Sequence, residues 1–455
     1  MGRFVSQTLP GDPNAMQRAL RQPQRYRAYV PTLLGDLGYT PSVSALEHVA
    51  AAGEACRALD AAVGASPVKL ARAMGLLSRS EGIGSATIEN YTASMRRLVG
   101  DAATNAAEHS DDGSAIILRG IAATEQGLML LGEPGRDVTA EDIEKVQAML
   151  MSHFQQRYRG YRTGYVQVGG NSSRVDSADY IPPPAEHVPA LVQDLCDYIN
   201  EPDGRHPIVR AAIAHAQFEV IHPFPDGNGR TGRVLMHGVL RREGLLVNTV
   251  VPVSIAMARD PDAYVRGLNS LVFDGDTCDA ARLDDWVVTF AGFVSEAAEQ
   301  ANTMLSEFES IYAGLAGRVR SAFRGDSHAP AVLGELSSQL GVTTAGAARA
   351  VGISEEAARR LLGKMVEEGL VQRRRTGRTT VFYIDALTRL IEDAQTFRMS
   401  DPVDMMPMRG LDVTSMRTSP ARGRPRAAQR CAHPLRTGGV CMRAAGHHGP
   451  HRSKP

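Results

Sequence analysis

The chain has 455 residues, enough for two to three domains, and its 43% hydrophobic and 22% charged residues are the ordinary balance of a globular protein. Basic and acidic residues number 50 each, so the formal net charge is +0 and any attraction to nucleic acid or an anionic membrane must come from a local patch. The N-terminus lacks the apolar core of a signal peptide, and no stretch is expected to reach the apolar length of a spanning helix. Cys56, Cys196 and Cys278 lie scattered in apolar contexts, so the expected setting is cytoplasmic and reducing, away from membranes.

Residues 1–28 are polar and rich in Pro, Gln and Arg, and are expected to be flexible. Residues 29–135 read as a helical region. Leu46, Val49, Ala50, Cys56, Leu59 and Val63 recur at helical spacing. Ser66-Pro67 resembles a cap and first helical position, with the helix running to Leu77. A further helix is expected from Ser85 to Val99, and more helix from Asp101 to Leu131 with a break at Ser110–Gly113. Thr139 with Asp142 marks the start of another helix through Met151.

Between Gly160 and Pro184 the pattern changes. Tyr165–Val168 and Tyr180-Ile181, separated by a Gly-Gly-Asn-Ser turn, predict a short β-hairpin. Val188–Ile199 is an amphipathic helix. Pro207–Ile221 is a second, and Val234 to Leu240 a third that Gly244 stops. Between the last two stands H-P-F-P-D-G-N-G-R-T-G-R, from His222 to Arg233. A glycine-rich turn at a helix N-terminus offers free N–H groups and the positive dipole end to an anion. Gly227 and Gly229 let a ligand approach the backbone, and Arg230 and Arg233 supply forked donors for phosphate oxygens. Asp226 is the kind of oxygen ligand Mg²⁺ takes beside phosphates, and His222 is a base at the mouth. The residues alone describe a nucleotide site. Further on, Val250–Ser254 reads as extended, and Asp260–Leu271 and Leu283–Tyr312 as helices.

The stretch resembles the Fic (Fido) signature, H-x-F-x-D/E-G-N-G-R-x-x-R, and matches it at every specified position. The resemblance implies a mainly α fold, a Fic-type helical bundle over residues 136–312 with a β-hairpin flap that holds a target segment. It implies a protein adenylyltransferase that moves AMP from ATP to a Ser, Thr or Tyr hydroxyl. His222 would take the hydroxyl proton and Asp226 would hold Mg²⁺. Gly227, Asn228, Gly229, Arg230, Thr231, Gly232 and Arg233 would bind the phosphates, with Phe224 anchoring the loop in the core. Tyr264 and Leu268 would border the adenine pocket; core packing accounts for them equally well. Ser85-Ala86-Thr87-Ile88-Glu89-Asn90 matches the family's inhibitory S/T-x-x-x-E-G/N motif. There Glu89 would form a bidentate pair with Arg233 and withhold it from the γ-phosphate. The partner is then a target protein, the chain itself included, and a homodimer is compatible with the family.

Residues 328–390 read as helix, turn, helix and β-hairpin, resembling a winged helix-turn-helix. Arg359, Arg360 and Lys364 fall on its second helix, and Arg373, Arg374, Arg375 and Arg378 between two strands, a local charge suited either to DNA or to docking on protein. Residues 398–430 read as linker. In residues 431–455, Cys431 and Cys441 with two of His447, His448 and His451 could form a Zn²⁺ site, although no C-x₂₋₄-C pair is present and an unstructured tail fits as well. Alternatives to the adenylyltransferase are a nucleotide-sensing, DNA-binding transcriptional regulator, or a Fic enzyme that uses another nucleotidyl donor or removes AMP.

Overall fold

The computed structural model describes residues 2–14, 18–64, 66–105, 110, 112–152, 154, 158–170, 174–274 and 278–395. The chain is mostly helical, with two small sheets. In order come β1 (Arg3–Leu9), β2 (Gln24–Val30), α1 (Val43–Val63), α2 (Pro67–Ile88), α3 (Met95–Thr104), α4 (Gly113–Leu131), α5 (Ala140–Leu150), α6 (Val188–Asn200), α7 (Pro207–Ile221), α8 (Asn228–Arg242), α9 (Val253–Arg259), α10 (Pro261–Leu268) and α11 (Ala280–Ala322). The C-terminal module follows as α12 (Ala329–Ser338), β3 (Val342–Thr343), α13 (Thr344–Val351), α14 (Glu355–Glu367), β4 (Gln372–Thr376), β5 (Thr379–Tyr383) and α15 (Asp385–Gln395).

The bundle is centred on α7 and α8. Every residue of α7 from Ile208 to Ile221 is buried, and so is every residue of α8 from Asn228 to Leu240. A helix wrapped on all sides needs no polar face, which is why α7 is so rich in alanine and isoleucine. Trp286 of α11 donates its indole N–H to the Ala212 carbonyl at 2.9 Å and so fastens the long helix to the centre. Helix α4 lies against α8, where a Cβ on Gly127 would meet Val234 and one on Gly238 would meet Leu131. Thr139 and Asp142 form the expected capping box at the start of α5.

Several expectations are corrected. Residues 1–28 contain a two-stranded antiparallel sheet, pairing Arg3 with Val30 through to Leu9 with Gln24. Its hold is long-range: the Tyr29 hydroxyl donates to the Leu271 and Phe273 carbonyls at 2.9 Å, and Phe4 packs on the Tyr29 ring. The expected flap hairpin is reduced to one antiparallel bridge, Val168 with Tyr180. The following prolines supply no N–H for a ladder, and Ile181 instead accepts from the Tyr29 N–H at 3.0 Å. Helix α2 runs on to Ile88, so Ser85 lies in its last turns and caps nothing. Val253 and Ser254 open α9, a helix buried from Val253 to Ala258 whose apolar run has no strand-like alternation. Helix α11 extends ten residues beyond Tyr312, to Ala322. Among the described residues one helix, α4, is long and apolar enough to cross a membrane, with mean hydropathy 1.2 in its most apolar 18-residue window, but 67% of that window is buried in the bundle.

Candidate active site

The motif loop is shaped by two left-handed residues. His222 caps α7 at φ 48°, ψ 61° and donates its backbone N–H to the Phe218 carbonyl at 2.9 Å. Gly227 caps α8 at φ 80°, a conformation glycine takes without strain. Between them Phe224 is fully buried, its ring centroid 5.6 Å from that of Tyr161. The Asn228 side chain closes the loop on itself, accepting from the Phe224 N–H and donating to the Phe224 carbonyl, both at 2.9 Å. Asn228 therefore serves a ligand through its backbone, its amide being committed to the loop. Thr231 turns inward as well, donating its hydroxyl to the Gly227 carbonyl at 2.8 Å. No side chain caps α8, so the N–H groups of its first turn are left for an anion.

Arg162 is the residue that sequence reasoning missed. It is 5% exposed, and its guanidinium spans the back of the loop, donating to the His222 carbonyl at 2.8 Å, the Ile221 carbonyl at 3.2 Å and the Pro183 carbonyl at 2.5 Å. One arginine among several in a Tyr/Gly stretch carries no periodic signal, and these partners lie 21 to 60 residues away in the chain. Burial, with Arg162 nearby, lowers the His222 imidazole from its ordinary 6.5 to about 4, while Glu89 and the Glu219 backbone oppose the shift. The ring is thus a neutral base across the physiological range.

The two motif arginines differ in commitment. Arg230 is 3% exposed; its Nη2 lies 3.8 Å from Asp226 and its guanidinium 5.3 Å from the Tyr91 ring centroid. Its Nε and Nη1 have no hydrogen-bond partner among the described residues. Arg233 is 1% exposed and bound to α2: Nε donates to the Ser85 hydroxyl at 2.8 Å, and Nη2 to the Ser85 carbonyl at 3.0 Å and Glu89 Oε1 at 2.9 Å. The Glu89 pair is therefore single, the other half of the expected bidentate contact going to Ser85. The same carboxylate lies over Gly229, where any Cβ would collide with it. Glu89 is the C-cap of α2, and Asn90 follows at φ 61°. The Tyr91 and Asn90 N–H groups close on the Ala86 and Thr87 carbonyls, both at 2.9 Å, a Schellman ending that needs a left-handed residue where Asn90 stands. Asp226 is 41% exposed at its side chain, at the edge of the same turn.

Beneath the loop lies a buried polar layer. Glu219, 2% exposed, is raised by burial from 4.5 to about 8, with Arg233 pulling the other way. Tyr264 and Leu268 are both core residues, and the Tyr264 hydroxyl lies 2.9 Å from His215 Nε2. His215 is fully buried, and burial with Arg233 nearby lowers it from 6.5 to about 3. It therefore stays neutral in the folded chain where the unfolded chain takes a proton. The unfolded state binds more protons between about pH 6.5 and pH 3, so stability falls as pH drops through that window. Glu219, protonated first in the folded chain, contributes the opposite slope below about pH 8, so the His215 share is read as a difference. Between about pH 6.5 and about pH 4.5 the parent's unfolding free energy should lose up to about 1.4 kcal/mol per pH unit relative to His215→Gln. Parallel pH profiles for the two would remove His215 as a source of the dependence.

In the C-terminal module, helix, turn, helix and hairpin are each present, and β3, β5 and β4 form one antiparallel sheet in that order. The arginine run differs from expectation: Arg373, Arg374 and Arg375 lie within β4, and only Gly377 and Arg378 turn. On α14, Arg359 and Arg360 both pair with Glu356, and Lys364 donates to the Ala322 carbonyl at 2.5 Å. Cys431, Cys441, His447, His448 and His451 lie outside the described residues.

Residues 137–240 match the Fic/DOC family model. A probable protein adenylyltransferase of Aquifex aeolicus is 38% identical over 88 residues, 19% of this chain and 25% of that protein. The protein adenylyltransferase Fic of Nematostella vectensis is 31% identical over 140 residues, 30% of this chain and 29% of that one. The matches thus span little more than a quarter of these relatives' lengths. A Fic family protein from Desulfovibrio desulfuricans G20 aligns in structure over 76% of this chain and 97% of its own, at 22% identity and a TM-score of 0.43. The signature, complete from His222 to Arg233 and folded as helix, glycine-rich turn and helix, lies within the matched segment, so residues 137–240 carry a Fic/DOC-type domain.

Proposed function

We propose that the chain is a protein adenylyltransferase, held in check by Glu89. The observation that carries the reading is the α8 N-terminus: an uncapped first turn, with Arg230 donors uncommitted beside it and a neutral imidazole at its mouth. A triphosphate laid along Gly227, Asn228 and Gly229 meets backbone N–H groups, with Arg230 and Arg233 at its β/γ end. His222 takes the proton from a Ser, Thr or Tyr hydroxyl of the target. The oxygen attacks the α-phosphorus, the bond to the bridging oxygen breaks, and pyrophosphate leaves with the electron pair. The protein's share is positioning and charge stabilisation, with no covalent enzyme intermediate.

Asp226 suits Mg²⁺ in the way that ion is commonly held, by one or two carboxylates together with substrate phosphates. It is partly exposed at the turn, and no cluster of three or more ligating side chains accompanies it among the described residues. Bound there, the ion would neutralise phosphate charge.

Glu89 supports the inhibited state because its carboxylate lies over Gly229 and beside Arg233, where phosphate oxygens would go. The test is incubation with α-labelled and, separately, γ-labelled ATP plus Mg²⁺, using Glu89→Gly. Label reaching protein from the α position alone is the expected result. Transfer from the γ position would make the chain a phosphate-transferring relative, and transfer from neither would favour another donor or AMP removal.

A further inference from the structure

The C-terminal module is packed on the segment that carries Glu89. Near the middle of α2, Arg79 donates to the Ser338 carbonyl at the end of α12, and the Ser80 carbonyl accepts from Gln395 of α15 at 3.0 Å. Leu76 of α2 lines one small cavity together with Leu336, Ile384, Leu387 and Ile391 of the module. On the far side of Glu89, α3 lies against the three-stranded sheet. A Cβ on Gly100 would press on the Thr376 hydroxyl at 2.7 Å, and one on Gly341 on Val99 at 2.9 Å. Arg374 donates to the Arg96 carbonyl.

The alternation of β4 explains how one strand does this. Successive side chains point to opposite faces. Arg374 and Thr376 face α3 and are half-buried, whereas Arg373 and Arg375 are exposed. The basic run is therefore split between an outer face and an inner contact. The Lys364 bond to the end of α11, and the pairing of Arg359 and Arg360 with Glu356, commit the positive charge of α14 within the chain as well.

Between these two anchorages lies the stretch from Glu81 to Met95, which contains Ser85, Glu89 and the left-handed Asn90. We propose that residues 328–395 act as a clamp on this stretch, and that docking of the module on α2 and α3 sets how often Glu89 leaves Arg233. Fixing the helix on one side and α3 on the other restricts the last turn of α2 from unwinding. A module that detaches removes both restraints together, and the turn is then held by the Ser85 and Glu89 contacts to Arg233 and by the packing of α2 on α4 and α9. The inference rests on the inhibitory reading of Glu89 given above.

The test is the double variant Arg374→Ala, Gln395→Ala in the full chain, two substitutions at the edge of the contact. Labelling of protein from α-labelled ATP should rise about 5- to 30-fold, the range expected when one or both of these hydrogen bonds stop favouring the closed state. In a Glu89→Gly background the same two changes should have no effect, since the restraint is already gone. Amide hydrogen exchange of residues 86–91 should speed up in the double variant, a readout independent of activity. If Glu89→Gly raises labelling while the double variant leaves both labelling and exchange unchanged, the clamp is overturned and the inhibitory reading stands. If Glu89→Gly itself has no effect on a folded protein, the inhibitory reading fails and takes the clamp's function with it.

Discussion

Replacing His222 by alanine is expected to lower transfer to a target hydroxyl by about 10²–10⁴-fold, the usual contribution of a positioned general base. The imidazole suits the role because it is neutral down to about pH 4, so it is ready to accept a proton throughout the physiological range. The loop should survive the change. Arg162 grips the His222 carbonyl, a backbone atom that the substitution leaves in place, and Asn228 ties both ends of the Phe224 peptide. The left-handed backbone at His222 is the one local cost, roughly 1–2 kcal/mol for a residue with an ordinary Cβ. His222→Asn is therefore the companion variant, because asparagine visits this conformation readily and is no base. Both should bind ATP much as the parent does, with melting temperatures close to it and labelling near background. Labelling within a few-fold of the parent in either variant would remove His222 as the base.

Glu89→Gly should raise labelling by about 10-fold or more, which corresponds to a closed state favoured by about 1.4 kcal/mol. One guanidinium cannot serve a carboxylate and a γ-phosphate in the same geometry, and here it is held by Glu89 and Ser85 together. Because Glu89 is the C-cap of α2, glycine there costs less than it would inside the helix. Arg233→Ala should abolish the gain, since it removes the phosphate contact with the inhibitory one. The double variant should then match Arg233→Ala, the non-additivity expected of residues sharing one partner. A double variant as active as Glu89→Gly would mean that Arg233 plays no part in holding the nucleotide.

What the sequence could and could not convey follows from the range of the interactions. The motif was legible because its residues are contiguous and each has one role: glycine for the left-handed cap, phenylalanine for the core, arginines for the anion. Helices α1, α5 and α6 were legible because a one-sided apolar stripe or a capping box marks them, and α7, buried all round, through its Pro207 start and its length. Helix α9 was not, since its seven residues are buried from Val253 to Ala258 and show no stripe. The N-terminal strands were hidden for a different reason. Arg25 and Arg27 keep the outward alternation, but Ala28, Tyr29 and Val30 are buried in succession and break the period of two, and the sheet is held by the Tyr29 hydroxyl reaching carbonyls 242 and 244 residues away. Arg162 depends on the same kind of distant partner. The end of α2 was misplaced because Ser85 looks like a helix start, while the signal that stops the helix, Asn90, acts only through its left-handed backbone.

Helix α11 gives the molecule leverage. Its 43 residues make a rod about 65 Å long at the usual rise. Trp286 fixes one end of it to the centre of the Fic bundle, and Arg318 near the other end donates to the Glu368 carbonyl at the close of α14. On such an arm a bend of about 5° moves the tip by roughly 6 Å, more than the span of a hydrogen bond. If the clamp works as proposed, a change of curvature of that size would be enough to draw the module away from α3, and a push far from the nucleotide would then reach Arg233 through α2.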